Sequence, residues 1–298
     1  MSAQFMNMLA NMAPRSNSRS LEDLRDSTDA LKGMDAMELR GWASKNPMVP
    51  SRDMTDPLGQ ALLSFLHGND HALKDYASTQ KDLRGEEKLA QELYTTRWGP
   101  TRIGIYNVLL IFMTTNPDSK ARLLNLTRYL IEEIKVPTDA SDVTGASALY
   151  WSNSTKPHTQ PALAQLLFDA GSSVNHRNRF GNTCGSEIAQ VDFSGDTSVN
   201  VAMLSWYVEH GGDVDGKDND GMNVRMLVEM MTKRVPAMGE VLKRGRRERK
   251  EGECENCGRK PGGDRVFANC SRCKKVRYCA QECQRVDWKA HKKICVAA

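Results

Sequence analysis

Eight side chains near the end of the chain have the types and spacing of metal ligands. They form four pairs, C-x2-C, C-x2-C, C-x3-C and H-x3-C, made by Cys254, Cys257, Cys270, Cys273, Cys279, Cys283, His291 and Cys295. Thiolate and imidazole are the groups that Zn²⁺ prefers in proteins, and eight of them fill two tetrahedral sites. Because no coordination position remains for water or substrate, we predict two structural Zn²⁺ ions as the cofactor.

The distribution of cysteine favours metal binding over disulfide bonds. Seven of the eight cysteines lie in the last 45 residues, and only Cys184 lies elsewhere. Clustered cysteines with a histidine, in a chain whose first residues lack the apolar core of a secretion signal, are typical of zinc sites. Cys184 is predicted to be a buried structural thiol, since nothing near it in the sequence supplies a base.

Local elements must bring the two ligands of each pair together. A C-x2-C pair needs a tight turn, and Gly258, directly after Cys257, permits the positive φ angle of such a turn. The i, i+4 spacing of the last two pairs places both ligands on one face of a helix. The pattern therefore predicts two short helices, at about residues 280–285 and 288–294.

The spacing leaves open how the four pairs divide between the two ions. In a sequential arrangement, the first two pairs would bind one ion and the last two pairs the other. In an interleaved arrangement, the first pair would join the third, and the second pair would join the fourth. Spacing alone does not decide between these arrangements.

One segment carries a family resemblance. The run Tyr278-Cys279-Ala280-Gln281-Glu282-Cys283-Gln284, followed by Trp288, His291-Lys292 and Cys295, resembles the MYND finger. The sites of that family interleave. The resemblance, which covers residues 254–295, therefore implies one site of Cys254, Cys257, Cys279 and Cys283, and a second of Cys270, Cys273, His291 and Cys295.

Two side chains beside the ligands could contact a peptide. Gln284 and Trp288 are four residues apart, so they are neighbours on a helix. An indole offers a flat apolar surface and an amide can pair with a peptide backbone, which together suit a proline-rich ligand. The resemblance implies Ser271, Gln284 and Trp288 as the peptide contacts. The alternative is that Trp288 fills the core of a small zinc fold.

The body of the chain carries an internal repeat. Gly145, Gly181 and Gly221 lie 36 and 40 residues apart, and Gly171 and Gly211 match glycines that end helices in the left-handed conformation. The pattern is similar to ankyrin repeats, although its spacing is longer and the Thr-Pro-Leu-His start is absent. The predicted fold class is therefore mainly α, with an ankyrin-like helical repeat body followed by a small two-zinc MYND finger. A non-repetitive helical domain is the alternative.

These patterns divide the chain into four parts. Residues 1–55 are predicted to be largely disordered or irregular, and residues 56–242 to form a helical domain with ankyrin-like repeats at about 104–242. Residues 243–253 are a basic linker, and residues 254–295 are the finger. Because repeats contact only their neighbours, the body is expected to fold without the finger.

Charge is unevenly distributed along the chain. The last 45 residues contain eleven Lys or Arg and four Asp or Glu, within an overall net charge of +4. Basic residues near thiolate-rich sites offset the thiolate charge, so the excess does not by itself indicate nucleic acid. Residues 243–253 could be a nuclear import signal or a nucleic-acid contact, and the alternative is a solvated linker or the frayed end of the last repeat helix.

The predicted function is that of a protein–protein interaction adaptor and not of an enzyme. Its expected partners are proteins with proline-rich segments, and neither nucleic acid nor a membrane is expected as a partner. The alternatives are a lysine methyltransferase-related protein and a nucleic-acid-binding regulator. The first is considered because some MYND fingers occur in SET-domain enzymes, but the Asn-His-x-Cys segment of those enzymes is missing here. Since no run of 18 apolar residues is present, the expected location is cytoplasmic or nuclear, with a mitochondrial leader left open.

Overall fold

The computed structural model describes residues 19–46, 53–154, 159–262 and 266–297, and in these ranges the chain is mainly helical. The helices of the body are α1 (Leu21–Asp26), α2 (Gly33–Lys45), α3 (Pro57–Leu66), α4 (Ala72–Arg84), α5 (Glu86–Thr95), α6 (Ile105–Thr115), α7 (Lys120–Glu132), α8 (Ala148–Ser152), α9 (Pro161–Asp169), α10 (Cys184–Ile188), α11 (Ser198–Glu209), α12 (Val224–Thr232) and α13 (Pro236–Arg244). The finger contains strands β1 (Ala268–Asn269) and β2 (Arg277–Tyr278), which pair antiparallel, and helix α14 (Gln281–His291). None of the described helices is both long and apolar enough to cross a membrane.

Three loops of the body share one turn geometry. In each, the side-chain Oδ1 of an Asp or Asn accepts hydrogen bonds from the backbone N–H groups two and four residues further on; these residues are Asp142, Asn178 and Asp218. The glycine three residues on has a φ of +77° at Gly145, +79° at Gly181 and +90° at Gly221. Glycine adopts this left-handed conformation without a steric cost, which accounts for the glycine spacing in the sequence.

Backbone hydrogen bonds connect these turns to one another. The N–H of Arg179 donates to the carbonyl oxygen of Thr144 at 2.9 Å, and the N–H of Asn219 donates to that of Phe180 at 3.1 Å. The turns lead into the helix pairs α8–α9, α10–α11 and α12–α13 in order. The body therefore repeats a turn–helix–helix unit along this part of the chain.

The second helix of each unit ends in a similar way. Gly171 after α9 has a φ of +120° and Gly211 after α11 has a φ of +79°, so the predicted left-handed glycines are confirmed. After α7 the turn is one residue longer, and its positive-φ residue is Lys135, with a φ of +62°. A side chain in this conformation is strained, because Cβ approaches the backbone.

One hydrophobic core runs from α3 through the helix pairs into the finger. It is lined by fully buried residues on successive helices, among them Leu62, Leu109, Leu130, Leu167, Leu204 and Val228. Cys254 and Cys257 of the finger belong to the same core. The finger therefore shares buried surface with the body.

The prediction of a largely irregular segment over residues 1–55 is wrong for residues 21–45, which form α1 and α2. Leu24, Leu39 and neighbouring apolar residues pack around Phe180 as a second, smaller core. The guanidinium group of Arg179 donates to the carbonyl oxygen of Leu24 at 2.7 Å. These contacts lie more than a hundred residues apart in the chain, so local patterns did not predict them. Residues 1–18 and 47–52 lie outside the described residues.

Candidate metal centres

The first group of ligands contains four cysteines. The Sγ atoms of Cys254, Cys257, Cys279 and Cys283 all lie within 4.8 Å of one another. Two of the Sγ–Sγ distances, from Cys257 to Cys279 and from Cys279 to Cys283, are 3.5 Å. A tetrahedral zinc with Zn–S bonds of about 2.3 Å places its sulfur atoms about 3.8 Å apart. The four thiols therefore fit a zinc ion.

The second group contains three cysteines and a histidine, and all four are buried. The Sγ atoms of Cys270 and Cys295 lie 3.8 Å apart, and the Sγ of Cys273 lies 3.5 Å from Nε2 of His291. A Cys₃His set of this size is typical of structural zinc. The two clusters could each bind one zinc ion, as the cofactor prediction requires.

The grouping is the interleaved one, which the sequence spacing left open and the family resemblance implied. The first C-x2-C pair joins the C-x3-C pair, and the second C-x2-C pair joins the H-x3-C pair. Each ion would thus tie a turn early in the finger to α14 or to the residues after it. Because the two sites share the same helix, loss of one would loosen the other.

Both C-x2-C turns use a positive φ angle after the second cysteine. Gly258 has a φ of +70°, and its N–H donates to the carbonyl oxygen of Cys254 at 2.9 Å, as the sequence predicted. In the second turn Lys274 occupies the same position, with a φ of +57°, and its N–H donates a hydrogen bond to the carbonyl oxygen of Cys270 at 3.0 Å. The positive φ angle of this turn was not predicted, because lysine does not signal a left-handed conformation.

Backbone and side-chain donors surround the thiols. Backbone N–H groups, that of Cys273 foremost, lower the pKa of the Cys270 thiol to about 6. The N–H of Cys279 donates to Sγ of Cys254 at 3.4 Å, and the guanidinium group of Arg259 lies 3.9 Å from Sγ of Cys279. Donors of this kind favour the thiolate, which is the form that binds zinc.

Helix α14 is continuous where two short helices were predicted. It runs from Gln281 to His291, so it contains Cys283 and His291, while Cys295 lies beyond its end. The prediction was wrong because two ligand pairs at helical spacing were assigned to separate helices, although nothing between them interrupts a helix. Gln284 and Trp288 consequently lie one turn apart on one uninterrupted helix.

The aromatic side chain in the finger's core is Tyr278 and not Trp288. Tyr278 is 2% exposed, and its hydroxyl donates to Oδ2 of Asp287 at 2.7 Å. Trp288 is 39% exposed. Gln284 is half-buried and Ser271 is exposed, so the three predicted peptide contacts all reach the surface of the finger. Their role in binding stays a prediction.

A buried asparagine docks the finger on the body. Asn256, between the first two ligands, is fully buried, and its Nδ2 donates to the carbonyl oxygen of Gly211 at 3.1 Å. Nδ2 of Asn175 donates to the same oxygen at 2.9 Å. A Cβ atom at position 211 would overlap the Asn256 side chain. Glycine is therefore required at the end of α11 by the close approach as well as by its φ angle.

The segment of residues 243–253 is not a solvated linker. Arg246 donates to Oδ1 of Asn256 at 2.7 Å and forms an ion pair with the buried carboxylate of Asp287. Arg249 donates to the carbonyl oxygens of Glu209 at 2.6 Å and Asn256 at 2.5 Å. Two further arginines of the segment, Arg244 and Arg247, donate to Ser205 and Glu253. The arginines thus join α11 to the finger, an arrangement that composition alone did not reveal.

A second contact lies beside the first zinc site. Arg259 donates to the carbonyl oxygen of Phe168 at 2.6 Å, and its guanidinium group stacks on the Phe168 ring at 4.2 Å. Glu282 of α14 accepts a hydrogen bond from Ser173. The finger therefore packs on the ends of α9 and α11, whereas the sequence predicted only a linker between the body and the finger.

The remaining cysteine behaves as predicted. Cys184 is 2% exposed at the start of α10, and its Sγ lies 3.4 Å from the carbonyl oxygen of Val174. Burial raises the pKa of its thiol well above the usual value. A neutral, enclosed thiol is a packing residue and not a nucleophile.

The comparisons with known proteins agree with the geometry of the finger. Residues 254–295 match the family model described as "MYND finger". These are the residues that hold both ligand clusters. The C-terminal part of the chain is therefore a MYND zinc finger.

A curated relative matches within the same part of the chain. "SET domain-containing protein 14" of Caenorhabditis elegans is 61% identical over 28 residues, which cover 9% of this chain and 6% of the relative. The match covers only the finger. The similarity therefore concerns the zinc fold, and the chain spans a small fraction of the length of this relative.

Proposed function

We propose that the protein is an adaptor whose MYND finger binds a proline-rich segment of a partner protein. The contacts are Ser271, Gln284 and Trp288. The observation that supports this proposal is the difference in exposure between two aromatic side chains. Tyr278 fills the core of the finger, whereas Trp288 is 39% exposed. A MYND finger suggests zinc-dependent protein–protein interaction.

The chemistry of the surface suits an extended ligand with few N–H groups. A pyrrolidine ring packs on the exposed face of the Trp288 indole, as proline-rich segments do on aromatic surfaces. The Gln284 amide, one helical turn away, donates to a carbonyl oxygen of the peptide. Neither side chain is a metal ligand, so the zinc ions hold the surface in shape without taking part in binding.

The body contributes a second interaction surface, and we propose that it is an ankyrin-like stack. Three turns with the same Asx hydrogen bonds, the same positive-φ glycine and a following helix pair support this classification. The longer repeat and the different start of the first helix distinguish it from the standard pattern. A stack of this kind presents an extended surface to partners.

Structural metal sites favour binding over catalysis. Each cluster offers four protein ligands, which leaves no position for a substrate or for an activated water. The rival function is lysine methyltransfer, because the relative's printed name includes a SET domain. A binding measurement with the methyl donor S-adenosylmethionine distinguishes the two: the adaptor shows no saturable binding, and the methyltransferase does.

A peptide array tests the adaptor function. Zinc-loaded full-length protein is applied to proline-rich peptides and to the same peptides with every proline replaced by alanine. We expect binders only in the first set, since alanine lacks the ring that packs on the indole and the preformed extended conformation. Equal binding to both sets, or none to either, would contradict a proline-rich ligand.

The expected location of such an adaptor is the cytosol or the nucleus.

A further inference from the structure

A groove of about 1280 Å³ lies between the body and the finger. The ends of α7, α9 and α11 form one wall, and residues of the range 247–262 form the other. Its accessible apolar lining includes Ile131 and Pro137. The groove shares no residue with the Ser271, Gln284 and Trp288 surface, so it is a separate candidate site.

The charged residues around the groove are unequally paired. Among the described residues that line it, six are basic and four are acidic: Lys135, Arg247, Arg249, Lys250, Arg259 and Lys260, against Glu132, Asp169, Glu209 and Glu253. Glu209 and Glu253 already form ion pairs with Arg249 and Arg247. Lys135, Lys250 and Lys260 are exposed at the groove, and none of them forms an ion pair with another described residue.

The nearby zinc site accounts for some of this positive charge but not for all of it. Four thiolates on one Zn²⁺ carry a net negative charge, and Arg259 lies 3.9 Å from Sγ of Cys279, where it offsets that charge. Lys135 belongs to the opposite wall, at the end of α7. Its ammonium group is therefore not explained by the metal.

The backbone at Lys135 is the second observation. The positive-φ residues that follow α9 and α11 are Gly171 and Gly211, whereas the one that follows α7, in a turn that is one residue longer, is a lysine with a φ of +62°. L residues are strained in this conformation, and glycine is not. A strained lysine that persists in a turn where the neighbouring units use glycine supports a role for its side chain, and here the side chain stands at the groove.

From the unpaired lysines and the apolar lining, we propose that this groove binds an extended acidic segment of a partner protein. Its carboxylates contact Lys135, Lys250 and Lys260, and an apolar side chain between them packs against Ile131 and Pro137. Ion pairs at the rim set the rate and specificity of such binding, and the apolar contact slows release. The body and the finger each supply part of the site, so it exists only while the finger is docked.

The test uses zinc-loaded full-length protein and a pool of short labelled peptides in which Asp and Glu flank a leucine or phenylalanine. A matched pool carries Asn and Gln in place of the acids. We expect saturable binding of the acidic pool that weakens with rising salt, and none of the amide pool. Lys135→Glu and Lys260→Glu should each weaken binding by about tenfold or more. Lys88→Glu, an exposed lysine on α5 away from the groove, should leave it unchanged.

Lys135→Gly separates binding from folding. Glycine relieves the backbone strain, so the Tm should not fall, while the loss of the ammonium group should still weaken binding. No binder in the acidic pool, equal binding of the amide pool, or unchanged affinity in Lys135→Gly would each overturn the proposal. Displacement of the peptide by a short single-stranded oligonucleotide at lower concentration than by the acidic peptide itself would instead assign the groove to nucleic acid.

Discussion

The side-chain amide of Asn256 donates a hydrogen bond to the carbonyl oxygen of Gly211, at the end of α11. Asn256 is flanked by two zinc ligands, so this bond connects the first zinc site directly to the body. Arg246 and Arg249 donate to the other polar groups of the same asparagine. The metal-binding finger and the helical body are therefore joined at this buried point, in addition to the contacts that Arg259 and Glu282 make.

A pair of glycine substitutions tests this docking. Gly211→Ala places a Cβ atom into Asn256, whereas Gly221→Ala, at a similar positive φ, meets nothing within 4 Å. Both variants suffer the strain of a left-handed residue, about 1 kcal/mol. We expect Gly211→Ala to lose a further 1–3 kcal/mol or so through overpacking, measured as the free energy of unfolding in denaturant. Equal losses would show that the contact does not contribute.

Arg246 is expected to stabilise the finger through Asp287. Arg246→Ala leaves a carboxylate that is 3% exposed without its ion partner, which should cost about 3 kcal/mol. Lys243→Ala is the matched control, because its ion pair with Glu240 is exposed and contributes less than about 1 kcal/mol. Since Asp287 and His291 lie on the same helix, zinc should also pass faster to a chelator in Arg246→Ala. Unchanged release would mean that α14 is positioned without this ion pair.

The sequence predicted the parts of the site that depend on local spacing. The ligand pairs and the left-handed Gly258 follow from positions within a few residues of one another. The grouping of the pairs does not, because it depends on how β2 and α14 return to the first turn, and only the family resemblance implied it. The single helix α14 was missed for a related reason, since the two ligand pairs were assigned separate helices.

Long-range contacts were beyond the reach of local patterns. Nothing around Asn256 indicates that its amide meets Gly211, 45 residues earlier. Residues 243–253 have the arginine-rich composition of a solvated segment. The bonds of these arginines to Glu209, Asn256 and Asp287 depend on the folded structure, so composition does not predict them. Helices α1 and α2 were missed because the surface that stabilises them, around Phe180, lies far along the chain.

Metal content is expected to follow the interleaved grouping. Purified under reducing conditions, the protein should contain two zinc ions, and chelation should unfold the finger. Cys283→Ser should lose one ion and bind the other more weakly, because α14 carries ligands of both sites. Cys184→Ser changes a buried cysteine outside both clusters and should retain two ions, as measured by elemental analysis. One zinc or none in the wild-type protein would contradict the assignment.

Peptide binding by the outer face of α14 is the central claim, and Trp288→Ala tests it most directly. For a proline-rich peptide selected on the wild-type protein, calorimetry should show a loss of about 2 kcal/mol or more in Trp288→Ala, as for an aromatic hot spot. Gln284→Ala should lose about 1 kcal/mol, and Lys289→Ala, an exposed residue of the same helix, close to nothing. All three variants should keep two zinc ions, since none of these residues is a ligand. If Trp288→Ala instead loses zinc and unfolds the finger, or stays folded and binds the peptide as tightly as the wild type, Trp288 is not the recognition residue.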